Sequence, residues 1–457
     1  MSIKESARTD LLEGSVGKAL ISFGVPLFLN YLLQALYGSA DAYIVSHFSD
    51  FADITGVTLG SQITYILTAM ISGFGSGATV LVGQLWGAKR RTELNHTVET
   101  VIIMFLALAL TAALLMAALT KPILKVLAVP AEAYVPTRNY LLICLSGTMF
   151  VFLYNAISAV MQALGDSKHP LYYVIISCAV NIILDLALIA GCGLGAAGAA
   201  IATVVAQFIS FMLSFIRLLK MPQFTIIPKK IHFHRSEFDR LWQLGLPYAV
   251  QRVIVALSFT AVSGFVNHYG LIASSASGIV SKINNFATLP FTAIQAAMVT
   301  MCSQCFGAGK KDRVKDVLRV GWLMNFVVGI CMFSLAQIIP GSMVRIFNED
   351  AELVNMAVPF LRCYAAEYII MPTNYSLHAI ITGAGHTVIP MFDGMLSAVI
   401  LRVPLCALLS SFVGFPGIAL GSALATLGAF FAAIWFYRNG AADPAYRFEP
   451  FGMKGKS

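Results

Sequence analysis

Charged residues are scarce in this chain. Its 457 residues include 30 Lys and Arg and 22 Asp and Glu, so that only 11% are charged. A soluble domain carries about a quarter of its residues as charged side chains. This scarcity excludes a soluble globular protein, and a hydrophobic content of 58% with a mean hydropathy of +0.79 indicates that much of the surface faces lipid.

The sequence also lacks the residue groupings typical of an active site or a metal centre. Cys302 and Cys305 form a C-x-x-C pair without a second pair or a nearby histidine, so the eight cysteines are interpreted as structural thiols. The histidines are scattered, apart from His232 and His234 in a polar segment. An integral-membrane enzyme would need a nucleophile beside a base, or His and Asp at metal-binding spacing. We therefore predict that the chain is not an enzyme.

No apolar run occurs before residue 18, where two glutamates and an aspartate lie instead. A cleavable signal peptide needs an apolar stretch of about 7–15 residues near the start. We therefore expect the first apolar segment to stay in the protein as a membrane helix.

Long apolar runs fill the rest of the chain. A helix crosses the ~30 Å hydrocarbon core with about 20 apolar residues. We predict twelve spans, at residues 18–46, 54–84, 96–120, 135–163, 170–192, 196–219, 237–268, 274–306, 315–340, 353–382, 388–411 and 416–437. The predicted organisation is a tail (1–17), a first half (18–219), a linker (220–236), a second half (237–437) and a second tail (438–457).

The basic residues are distributed asymmetrically over the predicted loops. With the N-terminus inside, the inner loops and tails hold 22 Lys and Arg, and the outer loops hold four. Cytoplasmic loops collect Lys and Arg. The bias therefore predicts a multi-pass protein of the inner (plasma) membrane with both termini in the cytoplasm. It also explains the net charge of +8 without a nucleic-acid partner.

The two halves repeat each other. Gly24-Val25-Pro26 matches Gly245-Leu246-Pro247, Gln84-Leu85-Trp86-Gly87-Ala88 matches Gln304-Cys305-Phe306-Gly307-Ala308, and the segment from Gly165 to Pro170 matches that from Gly385 to Pro390. All three spacings are 220 or 221 residues. The predicted fold is therefore an all-α integral membrane protein of two six-helix repeats, related by a pseudo-two-fold axis along the membrane normal. Such repeats are a transporter design with the pathway between the halves, which a monomer can enclose.

Polar side chains inside spans are costly and are therefore functional candidates. In the first half they form three stripes at helical spacing. The stripes are Asn30, Gln34, Tyr37 and Asp41 in span one; Ser177, Asn181 and Asp185 in span five; and Thr203, Gln207, Ser210 and Ser214 in span six.

If the stripes converge, the first half contains a polar cavity with two carboxylates. Burial favours the neutral form of a carboxyl group, and a second carboxylate nearby does so further. Such a pair suits a proton or a hard cation, for which oxygen ligands are preferred. Alternatively, Asn181 and Asp185 only bond to neighbouring helices, and serine stripes such as Ser210 and Ser214 often serve helix contacts.

The second half lacks this carboxylate pair. The counterpart of Asp41 falls near Val262, and that of Asp185 falls near Pro404 and Leu405. Interhelical ion pairs are the favoured interpretation of its charged residues, although Lys282 and Glu367 could line a substrate cavity. These residues are Arg252, Lys282, Glu367, Asp393 and Arg402.

The paired halves, the spacing from Pro26 to Asp41 and the two Gln-x-x-Gly-Ala segments resemble multidrug and toxic compound extrusion (MATE) transporters. The details are similar to the prokaryotic branch named after DNA-damage-inducible transporters. The resemblance implies a cation-coupling site at Asp41, Asn181, Asp185 and Thr203, which would also bind Na⁺ if sodium is the coupling ion. It further implies amphipathic, often cationic, organic substrates.

The predicted function is antiport, in which small organic compounds leave the cell in exchange for Na⁺ or H⁺. No other cofactor is expected, and the partners are small-molecule substrates and membrane lipid. Pro26 is the predicted hinge in span one. The predicted substrate-binding residues are Gln34, Tyr37, Asn155 and Ser177. The alternatives are a flippase for lipid-linked sugars or similar lipids, an integral-membrane enzyme and a channel.

Overall fold

The computed structural model describes residues 10–224 and 231–443, and within these ranges all regular structure is helical. Two π-helical segments, Leu186–Gly191 and Leu396–Leu401, continue α5 and α13. The α-helices are α1 (Val16–Phe48), α2 (Phe51–Gly87), α3 (Arg91–Val126), α4 (Ala131–Ala163), α5 (Lys168–Asp185), α6 (Gly195–Leu219), α7 (Arg235–Asn267), α8 (Leu271–Gly307), α9 (Lys311–Ile338), α10 (Pro340–Arg345), α11 (Ala351–Ala365), α12 (Glu367–Gly383), α13 (Val388–Met395), α14 (Arg402–Val413) and α15 (Phe415–Arg438).

Twelve helical segments in the described ranges are long and apolar enough to cross a membrane, which confirms the predicted fold class. Each predicted span lies on one of them, and the observed ends differ by a few residues. The tenth segment, Ala351–Gly383, comprises α11 and α12, and the eleventh, Val388–Val413, comprises α13, a π-helical segment and α14. Most of the predicted tails and the middle of the linker lie outside the described residues.

The chain forms two compact units whose borders differ from the predicted halves. Unit 1 contains Val25–Gly245, whereas unit 2 contains Asp10–Gly24 and the chain from Leu246 onward. The borders therefore fall inside α1 and α7, at the repeated Gly-x-Pro motifs, and not at the ends of the linker.

Hydrogen bonds explain why the first turns of α1 and α7 belong to these units. In unit 1, the buried Glu237 at the start of α7 accepts a hydrogen bond from Thr97 of α3 at 3.1 Å. In unit 2, the guanidinium of Arg313 donates to the backbone carbonyls of Leu11, Glu13 and Gly14, just before α1. Each segment is thus fixed to the unit that it contacts.

Close packing of helices relies on small residues in both units. In unit 1, α4 packs against α2 and α6 at Gly60 and Gly147, where a Cβ atom would clash with the side chains of Tyr140 and Val204. In unit 2, α15 packs against α14 at Gly421, where a Cβ atom would lie 2.6 Å from a backbone nitrogen of α14. Small residues at helix contacts are typical of membrane helix bundles, because they let backbones approach.

Candidate functional site

The predicted acidic site lies within unit 1, where side chains of α1, α5 and α6 meet. On α1, Asn30 is buried and accepts a hydrogen bond from the amide of Gln34, which is itself exposed. Tyr37 and Asp41 follow on the same face, at the helical spacing that predicted the stripe. The face therefore presents one amide pair, one phenol and one carboxyl group.

Asp41 and Asp185 come together across α1 and α5. Their carboxyl groups are close enough to interact with each other electrostatically. Two ionised carboxylates that lie close together repel each other strongly in a low-dielectric setting. The pair therefore needs a shared proton or a cation between its oxygens.

Asn181 lies one helical turn before Asp185 and is fully buried. Within the described part of the chain, neither amide atom of Asn181, neither carboxyl oxygen of Asp185 nor Oδ1 of Asp41 accepts or donates a conventional hydrogen bond. Buried polar atoms in proteins are rarely left without a partner. The three side chains thus offer oxygen ligands that the described residues do not satisfy.

The backbone of α5 changes at this point. The π-helical segment Leu186–Gly191 begins directly after Asp185. A π-helical turn carries an extra residue and loosens the regular hydrogen-bond ladder, and such turns are frequent at functional sites. Nothing in the local sequence, such as a proline, signals this turn.

Tyr37 connects the carboxyl pair to α6. Its hydroxyl lies 3.2 Å from the hydroxyl of Thr203, and its ring is close enough to Asp41 and Asp185 to interact with both electrostatically. All four predicted cation-coupling residues are therefore brought to one region of unit 1. Carboxylate, amide and hydroxyl oxygens are a donor set that suits a hard cation such as Na⁺.

Two residues of α4 also border this region, although the sequence analysis did not single them out. Tyr140 and Cys144 interact electrostatically with Asp41. The hydroxyl of Tyr140 lies 3.1 Å from that of Ser61 on α2. Thr137, Tyr140, Cys144 and Thr148 recur at steps of three, four and four in the sequence, so helical spacing was the signal that could have identified this face of α4.

The predicted substrate-binding residues make local hydrogen bonds. Ser177 donates to the carbonyl of Ala206 on α6 at 2.9 Å, and Asn155 donates to Val151 within α4 at 2.8 Å. Gln34 and Tyr37 contact Asn30 and Thr203, as described above. Their role in substrate binding stays a prediction.

The remaining hydroxyls of the span-six stripe bond to backbone carbonyls. Ser210 bonds to Tyr173 on α5 at 3.4 Å, and Ser214 bonds to Phe211 one turn earlier. Serine hydroxyls in membrane helices commonly form such bonds, either to a neighbouring helix or within their own helix. Among the described residues, no group of three or more His, Cys, Asp or Glu side chains is arranged to hold a metal ion.

The charged residues of unit 2 pair in a way that was only partly expected. Glu367 lies 3.9 Å from Arg402, and Asp393 lies 2.6 Å from His378. Arg252 and Lys282 are exposed, and neither forms an ion pair in the ranges that the structure describes. The described part of unit 2 thus has one buried ion pair, Glu367–Arg402, and a close contact between Asp393 and His378, but no carboxylate pair of the kind found in unit 1.

Comparisons with known proteins agree with this architecture. A family model described as MatE matches residues 26–187 and again residues 247–408. The probable multidrug resistance protein YoeA of Bacillus subtilis (strain 168) is 27% identical over 438 residues, which are 92% of this chain and 94% of that protein. The multidrug export protein MepA of Staphylococcus aureus (strain NCTC 8325 / PS 47) is 24% identical over 408 residues, with coverages of 88% and 89%.

The fold is also that of a solved transporter. The outward-facing conformation of a multidrug resistance MATE family transporter of the MOP superfamily has a TM-score of 0.90 and 16% identity, and 97% of this chain and 100% of that chain are covered. The family model matches both halves, most of the chain in all. The resemblance noted in the sequence is therefore confirmed, and the chain belongs to the MatE family of membrane transporters.

Proposed function

We propose that the protein is a secondary active antiporter, which exports amphipathic cationic organic compounds in exchange for Na⁺ or H⁺. The observation that carries this proposal is the meeting of Asp41 and Asp185 beside Asn181 in unit 1, with oxygen atoms that other described residues leave unsatisfied. Such a site holds a cation or a proton well only when its surroundings keep the carboxyl groups close together.

Coupling follows from competition for these carboxyl groups. A proton or Na⁺ at Asp41 and Asp185 lowers the negative charge of the pair, and the electrostatic attraction for a cationic substrate then falls. Binding can drive alternating access only if the ion prefers one conformation over the other. A carboxyl pair on two different helices meets this condition, because separating α1 from α5 would dismantle the site.

The proposed cargo rests on charge and on relatives. The predicted site is acidic, which favours cationic groups, and two similar proteins are named for multidrug resistance and multidrug export. Neither name identifies a substrate for this chain. The proposal is therefore limited to a class, amphipathic organic cations such as ethidium.

Pro26 is proposed as the hinge of α1. It lies eleven residues into the helix and lacks the N–H group that would bond to the preceding turn. It is also the second residue of α1 that belongs to unit 1. Bending at this point would shift Asp41, four turns further along the helix, relative to α5.

The proposed topology places both termini in the cytoplasm and the turn between α5 and α6 outside. Cys192 is exposed in that turn and provides a native label. A membrane-impermeant maleimide added to intact cells should modify Cys192, and Cys192→Ser should abolish this labelling. Labelling only after permeabilisation would show that the protein has the opposite orientation in the membrane. Several basic residues behind the charge bias lie outside the described ranges, namely Lys4, Arg8, Lys229, Lys230, Arg447, Lys454 and Lys456.

The transport test is ethidium efflux from proteoliposomes under an imposed Na⁺ or H⁺ gradient. Asp41→Asn and Asp185→Asn should each reduce gradient-driven efflux by at least tenfold while the protein stays folded. Asp312→Asn is the matched control, because Asp312 is almost fully exposed and lies outside the site. Unchanged efflux in both site variants would reject the coupling model. Without wild-type efflux under either gradient, a lipid-linked sugar becomes the cargo to assay.

A further inference from the structure

A buried ion pair lies inside unit 2. The side chains of Glu367 on α12 and Arg402 on α14 are 4% and 8% exposed, and Arg402 Nη2 lies 3.9 Å from Glu367 Oε1. Thr426 of α15 donates its hydroxyl to the same carboxyl oxygen at 2.5 Å. Three helices therefore meet at one carboxyl group, one guanidinium and one hydroxyl.

The internal repeat relates this cluster to the acidic site of unit 1. The two segments matched by the family model both start and end 221 residues apart, and a constant spacing of 221 sets Asn181 opposite Arg402 and Asp185 opposite Cys406. The spacing of 220 between Gly165–Pro170 and Gly385–Pro390 moves each counterpart one residue earlier, to Leu401 and Leu405.

A second, local match places the threonines opposite each other. Gly198-Ala199-Ala200-Ile201-Ala202-Thr203 in α6 corresponds to Gly421-Ser422-Ala423-Leu424-Ala425-Thr426 in α15, with Gly, Ala, Ala and Thr at the same four positions. The counterpart of Asn181 at the spacing of 221 is Arg402, and that of Thr203 in the local match is Thr426. Both of these residues face Glu367.

We propose that the guanidinium of Arg402 is a built-in cation, which fills in unit 2 the position that an exchangeable cation takes in unit 1. Glu367 and Thr426 then form a latent site for a monovalent cation, Na⁺ or H⁺, which becomes available when the guanidinium is removed. The comparison with unit 1 rests on the proposed function, but the latent site can be tested without it.

The contacts of Arg402 support a cation held in a pocket and not a tight bidentate pair. Its Nε and Nη1 atoms, Oε2 of Glu367 and the hydroxyl of Tyr368 are buried and have no hydrogen-bond partner in the described part of unit 2. The guanidinium carbon lies 4.6 Å from the ring centre of Phe259, which is within the range of a cation–π contact. Oxygen ligands for a smaller ion therefore remain when Arg402 is shortened.

Arg402 and Asp185 both lie beside a π-helical segment, but on opposite sides of it. Leu396–Leu401 directly precedes Arg402, whereas Leu186–Gly191 directly follows Asp185. The titratable groups that interact with Glu367 are Tyr364, Tyr368, Tyr375, Arg402 and Cys406. Arg402 is the one cation in this set, so its removal leaves the carboxyl group without a positive partner there.

The test uses the full-length protein with the unit 1 site silenced by Asp41→Asn and Asp185→Asn. In this background, thermal unfolding is followed in detergent with and without Na⁺, and between pH 8 and pH 6. The parent, with Arg402 intact, should show no response to Na⁺ and only the baseline change of Tm with pH that its histidines produce, against which the variants are compared. Arg402→Gln should show a rise in Tm of about 4 °C with saturating Na⁺ or at the lower pH, as for a ligand that binds only the folded state.

Two further variants separate a cation site from a packing defect. Arg402→Gln with Glu367→Gln should lose the response, because the carboxyl group is gone, and Arg402→Lys should behave like the parent, because the ammonium still supplies a cation. If Arg402→Gln is unfolded in ion-free buffer, it should be recovered in high Na⁺ or at pH 6.

Three results would overturn the proposal. In the first, folded Arg402→Gln responds to neither ion. In the second, the double Gln variant folds and Arg402→Gln does not fold under any condition. In the third, the Tm of the parent already rises with Na⁺ because the ion binds at Glu367 while Arg402 is present. None of these results depends on whether Asp41 and Asp185 couple transport, so failure of the proposed function is distinguished by the efflux assay above.

Discussion

Replacing Asn181 with leucine should stabilise the folded protein and abolish cation-coupled transport. Asn181 is fully buried in α5, and neither atom of its amide has a partner among the described residues. Each buried polar group without a partner costs about 1–3 kcal/mol. Leucine is similar in volume and has no polar atom, so Asn181→Leu should raise the free energy of unfolding by about 1–3 kcal/mol in the absence of ion.

The assay is thermal unfolding of the purified protein in ion-free detergent, paired with ethidium efflux from proteoliposomes. A gain of this size should raise Tm by about 2–12 °C for a unit of roughly 200 residues. Na⁺ or low pH should reduce the difference in Tm between Asn181→Leu and the wild type, because the ion binds to and stabilises only the wild type. Gradient-driven efflux should fall by at least tenfold, since Asn181 no longer supplies an oxygen to the ion.

Asn325→Leu is the matched control. Asn325 is also fully buried and its Oδ1 likewise has no partner among the described residues, but its amide nitrogen donates to Ser376 at 3.1 Å. The same substitution there also breaks a bond that is made, so Asn325→Leu should stabilise the protein less than Asn181→Leu, or destabilise it. A loss of stability in Asn181→Leu would mean that Asn181 holds helices together. Unchanged efflux in Asn181→Leu would remove this residue from the coupling site.

Three other substitutions test the packing, the site and the chain segment before α1. A Cβ atom at Gly329 would lie 2.4 Å from the carbonyl oxygen of Tyr368, so Gly329→Ala should cost about 3 kcal/mol, and an unchanged Tm would contradict this packing. Thr203→Val removes the hydroxyl beside Tyr37 and should weaken the apparent affinity for the coupling ion about fivefold, whereas a loss confined to Tm would indicate a purely structural role. Arg313→Ala removes three hydrogen bonds to the segment before α1 and should speed its native-state proteolysis about tenfold; unchanged cleavage would refute this attachment.

The spans could be predicted because hydropathy dominates the folding of a membrane helix. The breaks in the helices inside these spans could not be predicted from the sequence. Pro359 and Pro372 lie within α11 and α12, yet the interruption of the tenth span falls between them, at Ala366. The π-helical segment that begins at Leu186 follows a run without proline or glycine, whereas Gly394 and Pro404 flank the segment Leu396–Leu401. Such breaks depend on packing against other helices, which one-dimensional patterns do not contain.

The candidate site was predictable to the extent that its residues share helical faces. The spacing of Asn181 and Asp185 placed them on one face of span five, and the structure adds the contact of Asp185 with Asp41 from a distant helix. Tyr140 and Cys144 were missed although they share helical spacing with Thr137 and Thr148, because these side chains are less polar than the carboxyl and amide groups that marked the other stripes. In unit 2, an ion pair was expected for Asp393, but its partner His378 was not among the charged residues considered.

The asymmetry of the two units follows from how differently guanidinium and Na⁺ behave in a buried site. A guanidinium keeps its charge at any physiological pH and is tethered to the backbone, so it cannot leave. Exchange requires a ligand that leaves, and a gradient can do work only through such exchange. On our proposal, Arg402 keeps the charge of unit 2 balanced through the cycle, and the ion gradient acts on unit 1 alone. The carboxyl group of Glu367 therefore cannot take over the role of Asp41 or Asp185 while Arg402 is present.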